Sequence, residues 1–124
     1  MTRLEALTEL RDKVAAGGNL FGADCMIAPL MNWPAYTEHS IWKASHGSLD
    51  AAKALHEAVL PGWQWIIDGE NRKLERNAQA QVWKIRKSKR KSHIGRVIAS
   101  HNPARAWLLA ILEALIAQEK TDDQ

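Results

Sequence analysis

Residues 102–116 read NPARAWLLAILEALI and carry the clearest structural signal in the chain. Asn102 is a preferred N-cap residue, and Pro103 follows at the first helical position, where its missing amide costs nothing. The apolar side chains then recur along one wide stripe: Trp107, Leu108, Ile111, Leu112, Leu115 and Ile116. Because a helix must bury such a stripe, we predict a helix over residues 103–118 that packs against a sheet or another helix, with a frayed tail at 119–124.

Two helices are predicted upstream from the same kind of signal. Thr2 and Glu5 have the spacing of a capping box, and apolar residues follow at helical intervals. Ser48 is a preferred cap before a second apolar stripe, and Pro61-Gly62 provide a stop. The predicted helices cover residues 3–16 and 48–60.

Three strands are predicted between the second and third helices. Trp63, Trp65 and Ile67 alternate with other residues, which is the period-two pattern of a strand. In the second strand we expect Trp83 and Ile85 to face the core and the basic residues to lie on the opposite face. The predicted strands cover residues 63–67, 80–87 and 93–99, so that Ser88–Ser92 would form a hairpin tip.

The segments between the first two helices show no helical periodicity. Residues 23–33 are apolar but are interrupted by Pro29 and followed by Pro34, which favours a short edge strand or an extended loop. Residues 34–47 look irregular. The expected fold is therefore a single α+β domain over residues 1–124, with helices packed on a small antiparallel three-stranded sheet.

Composition places the chain among ordinary globular proteins. It has 124 residues, of which 46% are apolar and 25% are charged. The apolar run that contains Trp107–Leu112 is too short to span a bilayer, and the first residues do not resemble a secretory signal. Cys25 is the single cysteine, so no internal disulfide can form. These features predict a cytoplasmic protein of a bacterial cell, with no membrane association.

The basic residues are concentrated in one segment. Seven of the seventeen lie between residues 84 and 96, where no acidic residue occurs, and the rest of the chain carries ten basic against fourteen acidic residues, a net charge of −4. We call residues 84–96 the basic segment. Its basic residues are Lys84, Arg86, Lys87, Lys89, Arg90, Lys91 and Arg96. An acidic body with one cationic projection favours contact with a polyanion or an acidic protein surface.

Two interpretations of the basic segment remain open. As a functional site, it would neutralise phosphates of a nucleic-acid backbone without reading sequence, or fit an acidic groove on a protein. As a solvated hairpin tip, its charge would serve only to discourage edge-to-edge aggregation. Seven cations without one anion favour the binding interpretation, because mere solubility is usually served by mixed charges.

The chain contains six tryptophans, which divide into two groups. Trp63, Trp65, Trp83 and Trp107 fall on predicted core faces. Trp33 and Trp42 lie near Tyr36 in the segment expected to be irregular, and they are candidates for an exposed aromatic interface that anchors a partner or stacks on bases. Packing within the core is the alternative for both.

The sequence contains no motif for catalysis or for metal binding. The histidines lack the helical spacing of a zinc pair, and Cys25 has no second thiol near it. Cys25 lies among apolar residues beside Asp24, whose charge would raise rather than lower the thiol pKa. We therefore assign no catalytic residue, no metal ligand and no cofactor, and expect a non-enzymatic protein.

Two segments resemble a known group of proteins. LDAAKALHEAVLPGW at residues 49–63 and NPARAWLLAILEAL at residues 102–115 are similar to segments of small uncharacterised phage and prophage proteins of alphaproteobacteria. In that group two helices flank a short sheet, and the layout resembles the phage α/β/α sandwich domain. The shared residues are structural, so the resemblance implies an origin rather than an activity, and the strongly basic segment departs from the group.

The phage origin makes engagement of a host machine the expectation, because small phage accessory proteins often engage, and frequently inhibit, such machines. The leading hypothesis is a phage-derived binding protein that blocks a host nucleic-acid-handling or defence complex, in the manner of an anti-CRISPR protein, through its cationic hairpin. One alternative is a direct nucleic-acid-binding protein of low sequence specificity. Another is a structural or assembly component of a phage. The expected partner is accordingly a host protein or nucleoprotein with an acidic surface, or a nucleic acid.

Overall fold

The computed structural model describes residues 2–17, 20, 22–69, 78–85, 91–92, 98–100 and 102–122. This part of the chain forms five helices and four strand segments. In chain order they are α1 (Arg3–Ala16), α2 (Ala23–Met31), α3 (Tyr36–Ser45), α4 (Leu49–Val59), β1 (Gln64–Gly69), β2 (Ala78–Ile85), β3 (Lys91–Ser92), β4 (Ile98–Ser100) and α5 (Pro103–Asp122). The architecture is α+β, as the sequence predicts.

Helix α5 is the centre of the fold. From Ala104 to Ile116 every side chain is buried except those of Arg105 and Glu113, which are half-buried. Helices α1, α3 and α4 and strands β1, β2 and β4 all pack against it. A helix enclosed on nearly all sides is more deeply buried than a stripe on one face requires. The predicted helix is confirmed, and it continues to Asp122, beyond the predicted end at 118.

The predicted caps of α1 and α4 are also confirmed. The Thr2 hydroxyl oxygen accepts a hydrogen bond from the Glu5 amide at 3.1 Å and donates to the Glu5 carboxylate. The Ser48 hydroxyl oxygen accepts from the Ala51 amide at 3.2 Å. Each cap satisfies an amide that would otherwise lack a partner at a helix start. Both helices therefore begin where the sequence indicates.

The predictions for residues 23–33 and 34–47 are wrong, because these segments contain helices α2 and α3. Helix α2 accommodates Pro29 inside it and is followed by the C-cap residue Asn32, whose φ of 61° is the left-handed conformation common at helix ends. In α3 the hydroxyls of Thr37 and Ser45 donate to backbone carbonyl oxygens three residues earlier. These local bonds allow polar residues to be buried in a helix.

The predicted three-stranded sheet is wrong in its third strand. Strands β1 and β2 pair antiparallel over six residues, from Gln64 opposite Trp83 to Gly69 opposite Ala78. The described residues of the returning chain form two short segments, β3 and β4, which pair separately with β2; residues 93–97 of the predicted strand lie outside the described part. Ser92 lies opposite Lys84, and Ile98 lies opposite Ala80. Because β2 advances four residues between these pairs and the returning chain advances six, one uninterrupted ladder cannot join them.

The orientation predicted for β2 is also corrected. Ala80 and Val82 are buried, while Trp83, expected to face the core, is half-buried. Val82 lies opposite Trp65, which stacks on Trp107 of α5. Since side chains alternate between the two faces of a strand, the face carrying Val82 is the one toward α5. The side chain of Ile85, the other residue predicted to face the core, lies outside the described part.

Polar contacts fasten the outer helices to their neighbours. Arg11 of α1 forms an ion pair with Glu113 of α5 at 3.1 Å, and Arg3 donates to the carbonyl oxygen of Leu30 in α2. Arg105 of α5 donates from Nε and Nη2 to the carbonyl oxygen of Ser45 at 3.2 and 2.8 Å. The last contact fixes the C-terminal end of α3 against α5, so the surface formed by α2 and α3 is tied to the core.

Candidate functional site

The basic segment begins on the sheet. Lys84 is the penultimate residue of β2; it is exposed and lies opposite Ser92. Lys91 lies opposite Ile85, so residues 84–85 and 91–92 form a short antiparallel ladder. The remaining predicted site residues, Arg86, Lys87, Lys89, Arg90 and Arg96, lie outside the described part. The structure therefore places the two described residues of this set at the same end of the sheet.

The predicted aromatic interface is only partly brought together. Tyr36 and Trp42 both belong to α3 and are 55% and 49% exposed, while Trp33 is half-buried and packs against the core. Of the other tryptophans, Trp63 and Trp107 are buried as predicted. A surface with an exposed Trp and Tyr on one helix is suited to contact with a partner, because such side chains bring large area at a low entropy cost.

The indole of Trp42 is held in place by its own helix. His46 stacks on it with ring centroids 4.2 Å apart and an angle of 29° between the planes. The His46 Nδ1 lies 2.8 Å from the Trp42 carbonyl oxygen, so this nitrogen carries the proton that it donates, because a carbonyl oxygen can only accept. The exposed indole is thus supported from one side rather than free to rotate.

A cleft of about 360 Å³ opens between α2 and α3 beside this indole. We call it the α2–α3 cleft. Its described lining is Asp24, Cys25, Glu38, His39 and Trp42. Asp24 is only 8% exposed, whereas Cys25 and Trp42 are exposed. The cleft therefore combines two carboxylates, an imidazole and a thiol with an aromatic wall.

The carboxylates control the state of the thiol in this cleft. The charge of Asp24 is the main reason that the pKa of Cys25 lies above its ordinary value, followed by desolvation and by the charge of Glu38. A raised pKa keeps the sulfur protonated at neutral pH, which is the opposite of what a nucleophilic cysteine requires. The sequence-based expectation about the effect of Asp24 is confirmed, and Cys25 has no activated character.

A second polar cluster is buried where α4, β1 and α5 meet. Trp107 donates from Nε1 to His56 Nδ1 at 3.2 Å, and His56 Nε2 lies 3.1 Å from the carbonyl oxygen of Trp63. Because the indole N–H can only donate, Nδ1 must be the acceptor and Nε2 must carry the proton. Trp65 lies against both rings. Burial lowers the pKa of His56, which is only 1% exposed, so the imidazole is neutral and structural.

The sequence pattern does not point to Glu38, and it does not place Asp24, Cys25 and His39 in a shared site. The reason is that residues 34–47 were expected to be irregular. In a helix, Glu38 and Trp42 are four residues apart and share a face, as do Trp42 and His46. This spacing was present in the sequence, but it has meaning only once α3 is known to be helical.

Two further results concern the described residues as a set. Within them, no group of three His, Cys, Asp or Glu side chains is placed to hold a metal ion. Among the helices in the same part of the chain, none has the length and apolar character needed to cross a membrane.

Comparison with known proteins found no relative. A scan of protein-family models gave no match, and searches of curated proteins and of solved structures gave none either.

Proposed function

We propose that this chain is a non-enzymatic binding protein whose basic segment docks on an anionic surface of a host nucleoprotein or nucleic-acid-handling complex and blocks it. The observation that carries the proposal is the ladder at the root of the segment, in which Lys84 lies opposite Ser92 and Ile85 opposite Lys91. It ties both flanks of the densest run of positive charge to the sheet. The phage origin in this proposal rests on the resemblance of residues 49–63 and 102–115.

The charge distribution supports docking in one orientation. The basic segment carries seven cations and no anion, while the rest of the chain has a net charge of −4. A polyanion attracts the segment and repels the body, so encounters are steered toward the sheet end of the molecule. Steering of this kind raises the association rate and weakens as salt is added.

Affinity beyond charge would come from the α3 surface. Tyr36 and Trp42 are the two largest exposed aromatic side chains on the helical part of the described chain, and Trp42 is supported by His46. Aromatic anchors that are already held in place lose little freedom on binding. In blocking a large complex, the protein would be oriented by the basic segment and would gain additional contact area from the α3 surface.

Direct binding to nucleic acid is the second candidate, favoured by the absence of acidic residues from the basic segment. If phosphates are the target, the affinity for a DNA duplex falls linearly with the logarithm of salt concentration, with a slope of roughly −6 when all seven cations are engaged. The measurement is binding of a labelled duplex over a series of salt concentrations. If the labelled duplex does not bind at any salt concentration, nucleic acid is excluded as the direct partner, and an acidic protein surface is the remaining candidate.

Charge reversal tests whether the basic segment is the site. We expect the double change Arg86→Glu and Lys87→Glu to abolish capture of the partner from a host lysate and, for nucleic acid, to reduce the slope by about 2. The matched control is Lys53→Glu with Lys120→Glu, which changes net charge equally at exposed lysines on α4 and α5. If both folded variants retain the partner, or both lose it, the basic segment is not a specific docking site.

A further inference from the structure

The α2–α3 cleft contains negative charge that the described part of the chain does not neutralise. Asp24 is nine-tenths buried and Glu38 is half-buried, and neither is among the residues that form ion pairs within 4.0 Å there. The neighbouring Cys25 has a pKa raised by both carboxylates, so their field extends into the cleft. The start of α2 offsets part of the Asp24 charge through its dipole. A cation that enters the cleft would neutralise the remaining negative charge of the two carboxylates.

The aromatic wall of the cleft adds a second preference for a cation. Trp42 is 49% exposed, and His46 supports its ring at 4.2 Å. The face of an indole attracts positive charge, and among the aromatic side chains it does so most strongly. This attraction does not depend on the two carboxylates, because it arises from the π-electrons of the ring. Charge and ring therefore select the same class of ligand.

The shape and ligand set indicate an organic cation rather than a metal ion. A volume of about 360 Å³ is much larger than an ion needs, and no three His, Cys, Asp or Glu side chains of the described chain converge on a metal position. A planar guanidinium can stack on an indole while donating to a carboxylate, whereas a compact ammonium ion cannot use the flat surface as fully.

We propose that the α2–α3 cleft receives an arginine side chain of a partner protein, with the guanidinium stacked on Trp42 and hydrogen-bonded to Glu38 and Asp24. The α2–α3 cleft shares no described lining residue with the basic segment, and its role does not depend on that of the segment. It commits the α3 surface to a protein partner, because a nucleic acid offers no cation to such a cleft.

The probe is a short blocked peptide, acetyl-Ala-Arg-Ala-amide, added to isotope-labelled protein and followed by heteronuclear NMR. We expect saturable shifts of the Trp42 indole N–H signal and of the Cys25 and Glu38 backbone amides. The peptide with citrulline in place of arginine has nearly the same shape but no charge, and should bind roughly tenfold more weakly. The indole signal is assigned by its loss in Trp42→Phe.

Single substitutions test whether the arginine peptide binds in the α2–α3 cleft, and the NMR spectra separate a loss of binding from a loss of folding. Glu38→Gln should weaken arginine binding roughly tenfold and Trp42→Ala roughly fivefold. Glu57→Gln, which removes an exposed carboxylate of α4 outside the cleft, should leave it unchanged. The dispersion of the same NMR spectra reports whether each variant is folded. The proposal is overturned if arginine and citrulline peptides give equal shifts, if neither gives any, or if folded Glu38→Gln binds arginine as well as the original chain.

Discussion

His56 shows how one residue can be both polar and part of the core. It is among the most deeply buried side chains, yet each ring nitrogen has a partner: Trp107 donates to Nδ1, and Nε2 donates to the Trp63 carbonyl oxygen. A buried polar group with both partners in place costs little, whereas an unpaired one costs about 1–3 kcal/mol. Protonation would turn Nδ1 into a second donor facing the indole N–H, so the arrangement requires the neutral imidazole.

This requirement makes stability depend on pH. Burial lowers the pKa of His56 in the folded chain, although the Trp63 carbonyl and the charge of Glu57 act in the opposite direction. In the unfolded chain the pKa returns to about 6.5, so below that pH the unfolded state binds more protons than the folded state. We expect the free energy of unfolding to be independent of this group above pH 6.5. Below that pH it should fall, by at most about 1.4 kcal/mol per pH unit from His56.

Urea unfolding between pH 5 and pH 8 measures this effect when the original chain is compared with His56→Gln. The variant should be less stable at pH 8, since one of the two hydrogen bonds is lost or lengthened, but its stability should change less with pH. His39→Gln serves as the control, because His39 is exposed. Parallel pH profiles for the original chain and His56→Gln would show that this imidazole does not titrate on unfolding.

At the scale of elements, helices with strong caps could be predicted and helices without them could not. The starts of α1, α4 and α5 are indicated by the capping residues Thr2, Ser48 and Asn102, and all three caps form in the structure. The N-cap residues of α2 and α3 are Gly22 and Ala35, neither of which has a side chain to cap an amide. Their helical form depends on packing, of α2 against α1 and of α3 against α4 and α5, which only the folded chain provides.

The same reasoning explains what could be predicted of the candidate sites. The basic segment is continuous in sequence, so its charge was visible without a structure. The α2–α3 cleft joins residues of two helices that the sequence did not reveal, with Asp24 lining it from α2 and Glu38 from α3. The sequence left open whether Trp42 is exposed or packed in the core; it is 49% exposed, and its neighbours in the cleft had no local signal. A site made by tertiary packing cannot be predicted from the periodicity of one segment, because that periodicity does not show which helix faces come into contact.

One side chain of α5 holds the C-terminal end of α3 by hydrogen bonds. Arg105 donates two hydrogen bonds to the Ser45 carbonyl oxygen at the C-terminal end of α3, where positive charge also favours the helix dipole. We expect Arg105→Ala to lower the free energy of unfolding by about 1.5–3 kcal/mol, the range for hydrogen bonds to charged groups. Arg105→Lys should recover part of this, since it keeps the charge but not the two-pronged geometry. Chemical denaturation gives both values, and an Arg105→Ala variant as stable as the original would show that α3 is held by apolar packing alone.

At the scale of the whole molecule, the two ends of the chain meet in one core. Helix α1 packs along α5, and the Arg11–Glu113 ion pair joins residues 102 positions apart in sequence. Leu7 and Leu10 belong to the same buried cluster as Trp107 and Leu112. The tryptophans near α5 and the helical content of α1 therefore report on one structure. A domain with a single continuous core of this size should unfold in one cooperative step.

A core substitution in α1 tests this unity. Leu7 is fully buried, so Leu7→Ala should cost about 2–5 kcal/mol, a large share of the stability of a small domain. Because the core is shared, the loss should shift the urea midpoints seen by tryptophan fluorescence and by far-ultraviolet circular dichroism equally, although no tryptophan lies in α1. Leu49→Ala is the matched control, since Leu49 is 44% exposed and its removal should change stability by less than about 0.5 kcal/mol. If Leu7→Ala lowers the helical signal first and leaves the tryptophan transition in place, α1 melts separately and the core is not one cooperative unit.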